Sequence, residues 1–250
     1  IYMLSGEKNI LKQNFSDILA LIPARGGSKG IPKKNIMITG GKPLIVYTIN
    51  KALKSQYKLR VIVSTDNKEI ANIAKSAGAE VPFIRPPKLA NDDTPGILPV
   101  LHAIRWMDEK EDYQPDVVIC LQPTSPLRNS DDIDKALELI TQKDVDSVVS
   151  VTPVKHHPFW MMQMDEGGRL KEFLSLKQKI HRRQDLPSVY AINGAIYAAK
   201  KEILLKNKDW YSDNTYAYVM PPERSLDIDT PWDLYLADLI LKDKQENEGN

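Results

Sequence analysis

Residues 19–36 read LALIPARGGSKGIPKKNI. An apolar run of strand length, 18–22, breaks at Pro23 and passes into a loop with Gly26, Gly27 and Gly30. That loop carries four cations, Arg25, Lys29, Lys33 and Lys34. A buried strand feeding a basic glycine loop suits a polyphosphate. Glycine lets the backbone approach an anion and aim N–H groups at it, and the cations neutralise charge that shifts during phosphoryl transfer. A lone Lys-Lys pair reads as a solvated turn; here glycine, charge and strand end coincide. The loop is not a Walker A motif, because Lys29 follows Ser28 and precedes Gly30. Lys33 is expected to face solvent.

Outward from this loop the hydrophobic pattern alternates between strand and helix. After a turn at Gly40-Gly41-Lys42-Pro43, residues 44–53 have helical spacing, with Leu44, Tyr47, Thr48 and Ala52 on one face. Residues 60–64 form a short apolar strand. Thr65-Asp66 offers a cap for a helix over 68–77, and 80–84 reads as a third strand. Helices over 97–109 and 133–141 alternate with strands over 116–121 and 147–151. Later, 193–199 and 216–220 read as strands and 201–205 as a helix; Thr230 and Pro231 start a last helix to 242. This order predicts an α/β fold, a mostly parallel sheet with helices on both faces. In open sheets ligands sit beyond the carboxyl ends of the strands. The loops 24–35, 85–95 and 122–128 are therefore expected to converge.

Segment 152–189 departs from the alternation. It holds Pro153, Pro158 and Pro187, the pair Phe159-Trp160, a Gly167-Gly168 turn and the cluster His181-Arg182-Arg183. We read it as an inserted arm whose aromatic and methionine residues serve self-association; packing of the arm's own base is the alternative. Residues 17–151 and 190–242 then form the α/β domain, with 1–16 and 243–250 as flexible extensions. The first residue is Ile1, so the natural start is expected to be missing.

Two carboxylates stand out. Asp227 and Asp229 alternate about Ile228 and point the same way if the stretch is extended. Beside a phosphate loop, such a pair is a hard-oxygen site of the kind Mg²⁺ prefers; a helix cap plus one exposed aspartate is the competing reading. Asp92-Asp93 reads equally well as turn and cap chemistry. His156-His157 lacks partners at zinc-ligand spacing, and there is no G-x-S-x-G nucleophile elbow.

Composition narrows the field further. With 34 Lys and Arg against 33 Asp and Glu, the net charge of +1 predicts no nucleic-acid-coating surface. The single cysteine, Cys120, lies in an apolar run and suits a reducing cytoplasm. No apolar run approaches the roughly 20 residues of a membrane helix, so no membrane partner is expected. From the residues alone, the chain is a Mg²⁺-dependent enzyme of nucleotide or phosphate chemistry.

Taken in order, IPARGGSKGIPKKN, STDNKEIA, RPPKLANDDTP, LQPTSPLR, HHP, RRQDLP, NGAIY and SLDIDTPWDL resemble the motifs of CMP-sialic acid synthetases. These acylneuraminate cytidylyltransferases include synthetases for legionaminic and related nonulosonic acids, and the resemblance covers roughly residues 17–240. It implies a nucleotidyltransferase fold, Rossmann-like or GT-A-like, with a dimerisation arm. The implied reaction joins CTP to the anomeric hydroxyl of a nonulosonic acid, releasing pyrophosphate, with Mg²⁺ as cofactor. Arg25, Lys29 and Lys34 would hold the triphosphate. Ala24 and Asn193 would belong to the substrate site, Asn35 would meet the ribose, and Arg85 with Gly96 the cytosine. Gln122 and Tyr197 would line the sugar pocket, with Arg183 reaching in from the arm. Asp227 and Asp229 would bind Mg²⁺, and Asp227 would help deprotonate the attacking hydroxyl.

Two positions depart from the family pattern. An arginine often stands two residues before the Asn-Gly, where this chain has Ala191, and a small polar residue near the cytosine is replaced by Gly96. The first departure favours a legionaminic-type or variant nonulosonate over plain N-acetylneuraminate. A D-x-D glycosyltransferase, or a dimer that senses CTP without turnover, are the competing classes.

Overall fold

The computed structural model describes residue 15 and residues 17–28, 30–143, 145–174 and 182–248, without the side chains of Lys143, Arg183 and Glu248. Lys29 and His181 lie outside the described residues, as do residues 1–14 and 16 of the predicted extension 1–16 and the end of the chain, 249–250.

Six strands form one sheet: β1 (Ile18–Pro23), β2 (Leu59–Ser64), β3 (Val117–Leu121), β4 (Ser147–Pro153), β5 (Tyr190–Lys200) and β6 (Thr215–Val219). Their order is β6-β4-β5-β3-β1-β2. Every neighbouring pair is parallel except those made by β5, which runs antiparallel to both β3 and β4. The physical reason is the 152–189 excursion. It returns the chain to β4 with no α-helix among its described residues, and such a return reverses strand direction.

The pleat sends alternate residues of β1 to opposite faces. Ile18, Ala20 and Ile22 pack with α1 (Leu44–Leu53), α2 (Lys68–Ser76) and α4 (Ser130–Lys143), whereas Leu19 and Leu21 pack with α3 (Ile97–Glu111) and α5 (Lys201–Asn207). Both faces are thus covered, as a central strand buried at every position requires. The last helix, α6 (Pro231–Glu248), runs beyond the predicted end at 242. Gln245 Nε2 donates to Gly40 O at 2.7 Å, tying the added turns to the Gly40-Gly41 turn. Among the described residues no helix is long and apolar enough to cross a membrane.

Three expectations change. Residues 80–84 make only isolated bridges, Ile62 to Glu80 and Thr65 to Ile84, because Pro82 interrupts the ladder. The cap of α2 is Asn67, whose side chain accepts from Glu69 N and Ile70 N, not Thr65-Asp66. The 152–189 segment contains a small hairpin, Met162–Met164 with Leu170–Glu172, turning at Gly167-Gly168. Trp160, Met164, Leu170 and Phe173 there stand exposed, at 47, 72, 64 and 51%.

Candidate active site

A cleft of about 700 Å³ opens beyond the carboxyl ends of β1 and β3. Arg25, Lys34 and Asn35 form one wall, Arg85 and Gly96 a second, and Gln122 with Tyr197 a third. Cys120 lies in the floor, and burial pushes its thiol up to about 12, which keeps it protonated and inert.

The basic loop is fixed from three directions. Ala24 N donates to Ser64 O at 2.9 Å, Gly26 N to Asp66 Oδ1 at 2.8 Å, and Asn35 Nδ2 to Arg25 O at 3.0 Å. Arg25 reaches across to Asp92 at 2.7 Å, so the 85–95 loop supplies an anion opposite the phosphate loop. Lys34 Nζ donates to Ile228 O at 2.5 Å and lies 3.4 Å from Asp229 Oδ1. A Cβ at Gly30 would meet Asp229 O at 2.7 Å, so only glycine lets the loop and the Asp227–Asp229 stretch touch. Lys33 does face solvent, paired with Glu69.

Arg85 is buried at 3% exposure. Its Nε donates to Ser64 Oγ at 2.9 Å, a second guanidinium nitrogen to Ser64 O, and its own N–H to Thr65 O. Burial pulls its pKa down to about 10, against the opposing pull of Asp66, and it remains a cation at neutral pH. Gly96 stands immediately before α3, its missing side chain leaving open space there.

The third wall depends on Arg128, a residue assigned no part at the sequence level. Fully buried, it donates to Gln122 O, Ala195 O and Thr48 Oγ1 at 3.2, 2.6 and 2.8 Å, locking the 122–128 loop to β5 and α1. Tyr197 packs against Trp210, with ring centroids 5.6 Å apart, and desolvation raises its hydroxyl to about 12. Trp210, Tyr211 and Lys208 extend this wall. No periodic signal marks them, since they follow α5 in an irregular loop with Lys208 in the left-handed region.

Asp227 is not among the residues lining the cleft but lies beside Gln122 and Thr124 of the third wall. Its Oδ1 is buried without a hydrogen-bond partner, and burial raises its pKa, opposed by a hydrogen bond from Thr124 and reinforced by the Asp229 charge. A Cβ at Gly194, where φ is +71°, would come within 3.3 Å of Asp227 Oδ2 and 3.5 Å of Gln122 Oε1, so β5 passes close beneath both groups. The stretch itself is held by Ile228, which is fully buried and donates its N–H to Thr124 O at 2.9 Å. Upstream, Arg224 pairs with Asp132 at 2.8 Å and Asn193 Nδ2 donates to Ser225 Oγ at 3.0 Å. An orphaned buried carboxylate oxygen beside an exposed carboxylate fits a hard divalent cation, which needs one or two such ligands plus phosphate oxygens and water. Among the described residues no group of three or more His, Cys, Asp or Glu side chains exists to form a fuller protein cage.

Ala24 and Asn193, like Asp227 and Asp229, are not among the residues lining the cleft. Ala24 is fully buried and its N–H is spent on Ser64. Asn193 uses its amide on Ser150 Oγ, Ala195 N and Ser225 Oγ, around the register shift between Val149 and Val151, and does not line the cleft. Arg183 sits in the short turn Arg183–Asp185 of the arm. His157 accepts from Phe159 N and hydrogen-bonds Pro187 O.

The cytidylyltransferase family model matches residues 19–242. Over 233 residues the chain is 39% identical to CMP-N,N'-diacetyllegionaminic acid synthase of Legionella pneumophila, covering 92% of this chain and 98% of that one. It is 33% identical to the pseudaminic acid cytidylyltransferase of Campylobacter jejuni, with coverage of 92% and 98%. Among solved structures, CMP:2-keto-3-deoxy-manno-octonic acid synthetase complexed with CTP superposes with a TM-score of 0.68 at 18% identity, over 92% of this chain and all of that one. A family model over most of the chain and relatives this similar along nearly their whole length show that the chain belongs to the cytidylyltransferase family.

Proposed function

We propose that the protein transfers CMP from CTP to the anomeric hydroxyl of a nonulosonic acid of legionaminic type. The observation that carries the reading is one cleft that gathers Arg25, Lys34, Arg85 and Gly96, with the Asp227 carboxylate beside its Gln122 and Thr124 wall. The 39% identical relative named for diacetyllegionaminic acid, together with the small Ala191 on β5, supports the sugar class.

In this reading Arg25, Lys29 and Lys34 hold the triphosphate and stabilise the departing pyrophosphate. Asn35 meets the ribose, and Arg85 with the backbone at Gly96 selects the base. Gln122 and Tyr197 orient the sugar, and the Trp210-Tyr211 wall offers apolar surface to its acyl groups. The anomeric oxygen attacks the α-phosphorus, the bond to the β-phosphate oxygen breaks, and the hydroxyl proton passes to Asp227. Mg²⁺ held by Asp227 and Asp229 would screen the phosphates and acidify the hydroxyl. Two copies pairing through the exposed apolar residues of the 152–189 arm would bring Arg183 to the partner's sugar pocket.

The test is pyrophosphate release from each of the four NTPs, combined in turn with legionaminic, pseudaminic and N-acetylneuraminic acids. CTP with the legionaminic acid should be fastest. No release from CTP with any of the three would sink the reading.

A further inference from the structure

We propose that Asp66 is a positioning residue for the nucleotide, setting the phosphate loop at Gly26 from a side chain just beyond the end of β2. This inference rests on the CTP reading above.

Each residue of Ser64–Asn67 holds a part of the cleft. Ser64 O accepts from Ala24 N at 2.9 Å, and Ser64 Oγ accepts from Arg85 Nε at 2.9 Å. Thr65 O accepts from Arg85 N at 2.8 Å, and Thr65 Oγ1 from Asn67 N at 3.1 Å. Asn67 caps α2 and packs so closely that a Cβ on Gly26 would lie 2.9 Å from its own Cβ. The capping duty being taken, the Asp66 carboxylate turns away from its helix and accepts Gly26 N at 2.8 Å, 40 residues away in sequence. A carboxylate accepting a backbone N–H makes a strong, directional bond, and here it orients the Arg25–Gly26 peptide, flanked by Arg25 and Gly27, both of which line the cleft.

Asp66 is not itself among the residues lining the cleft, so it acts through Gly26.

The experiment compares Asp66→Ala and Asp66→Asn in steady-state assays that vary CTP and sugar separately, with thermal melts alongside. Asp66→Ala should raise KM for CTP about tenfold, the size of one lost charge-assisted hydrogen bond, and leave KM for the sugar within about twofold. Asp66→Asn keeps an acceptor for Gly26 N and should rise only about threefold. An unchanged KM for CTP in Asp66→Ala, or equal rises in both KM values, overturns the proposal. If Asp66→Ala does not fold, Asp66→Asn decides: a rise for CTP alone supports the role, and no rise overturns it. Failure of the wild-type protein to bind CTP or release pyrophosphate is separate, since it removes the underlying reading together with this one.

Discussion

At Asp227, burial raises the carboxyl pKa and leaves Oδ1 without a donor, so its ionised form is destabilising in the free protein. Asp132 is the opposite case. Burial alone would raise it too, but Arg224, Asn129 N–H and Tyr218 outweigh that and hold it below the usual carboxylate range. Linkage makes opposite predictions for the two. Asp132 contributes stability that is present above its unfolded value of about 3.9 and is lost as pH falls through its lower folded value. Asp132→Asn should therefore cost about 2 kcal/mol at neutral pH, the partly solvated Arg224 softening the loss, with the gap to wild type closing in acid. Asp227→Asn should melt above wild type at neutral pH, that difference also vanishing in acid, while pyrophosphate release falls at least about 100-fold. Melting curves between pH 3 and 8 on both variants, with one activity assay, check the pair. A lower melting temperature for Asp227→Asn would mean that its carboxylate is satisfied after all.

Elements meet at glycines where no other residue fits. The basic loop touches the Asp227–Asp229 stretch at Gly30, against a backbone carbonyl that cannot rotate away. Gly30→Ala should push the two apart and lower kcat/KM by about 10–100-fold with little change in melting, because small misplacements cost orientation more than stability. Gly40 is a different kind of contact. Its φ is +52°, and a Cβ would lie 2.5 Å from Leu241 Cβ and 2.7 Å from Tyr47 Oη. Gly40→Ala combines overpacking with left-handed strain, and should cost about 2–4 kcal/mol as α6 is lifted off α1. Urea titrations of the two variants separate these outcomes: Gly40→Ala shifts the midpoint, and Gly30→Ala leaves it in place.

For the whole molecule, the sheet brings loops far apart in sequence to one end, and the 152–189 segment carries apolar side chains that the other described residues leave exposed. If that surface joins two copies, sedimentation equilibrium should give twice the chain mass, and Leu170→Glu with Phe173→Glu should give a single copy. Because Arg183 belongs to the arm, the single copy should show a KM for the sugar raised about tenfold and a KM for CTP nearly unchanged. A wild-type chain that sediments as one copy would overturn the pairing.

The sequence by itself determined the layered α/β class, the basic loop and the paired aspartates. Each is written in local terms: apolar runs of strand length, periodic helix faces, glycine beside cations, carboxylates two residues apart. It misplaced what depends on partners distant in the chain. The 80–84 strand fails because pairing is decided at β2 and Pro82 blocks the ladder. The buried Arg128 and the Trp210-Tyr211 wall carry no local signature of a site, and Asn193 and Ala24, set among motif residues, serve packing instead. Asp66 looked like a helix cap and became the anchor of Gly26. Tertiary structure alone decided these, because a hydrogen bond across 40 residues depends on where the sheet places two strand ends, and that placement is a property of the assembled core.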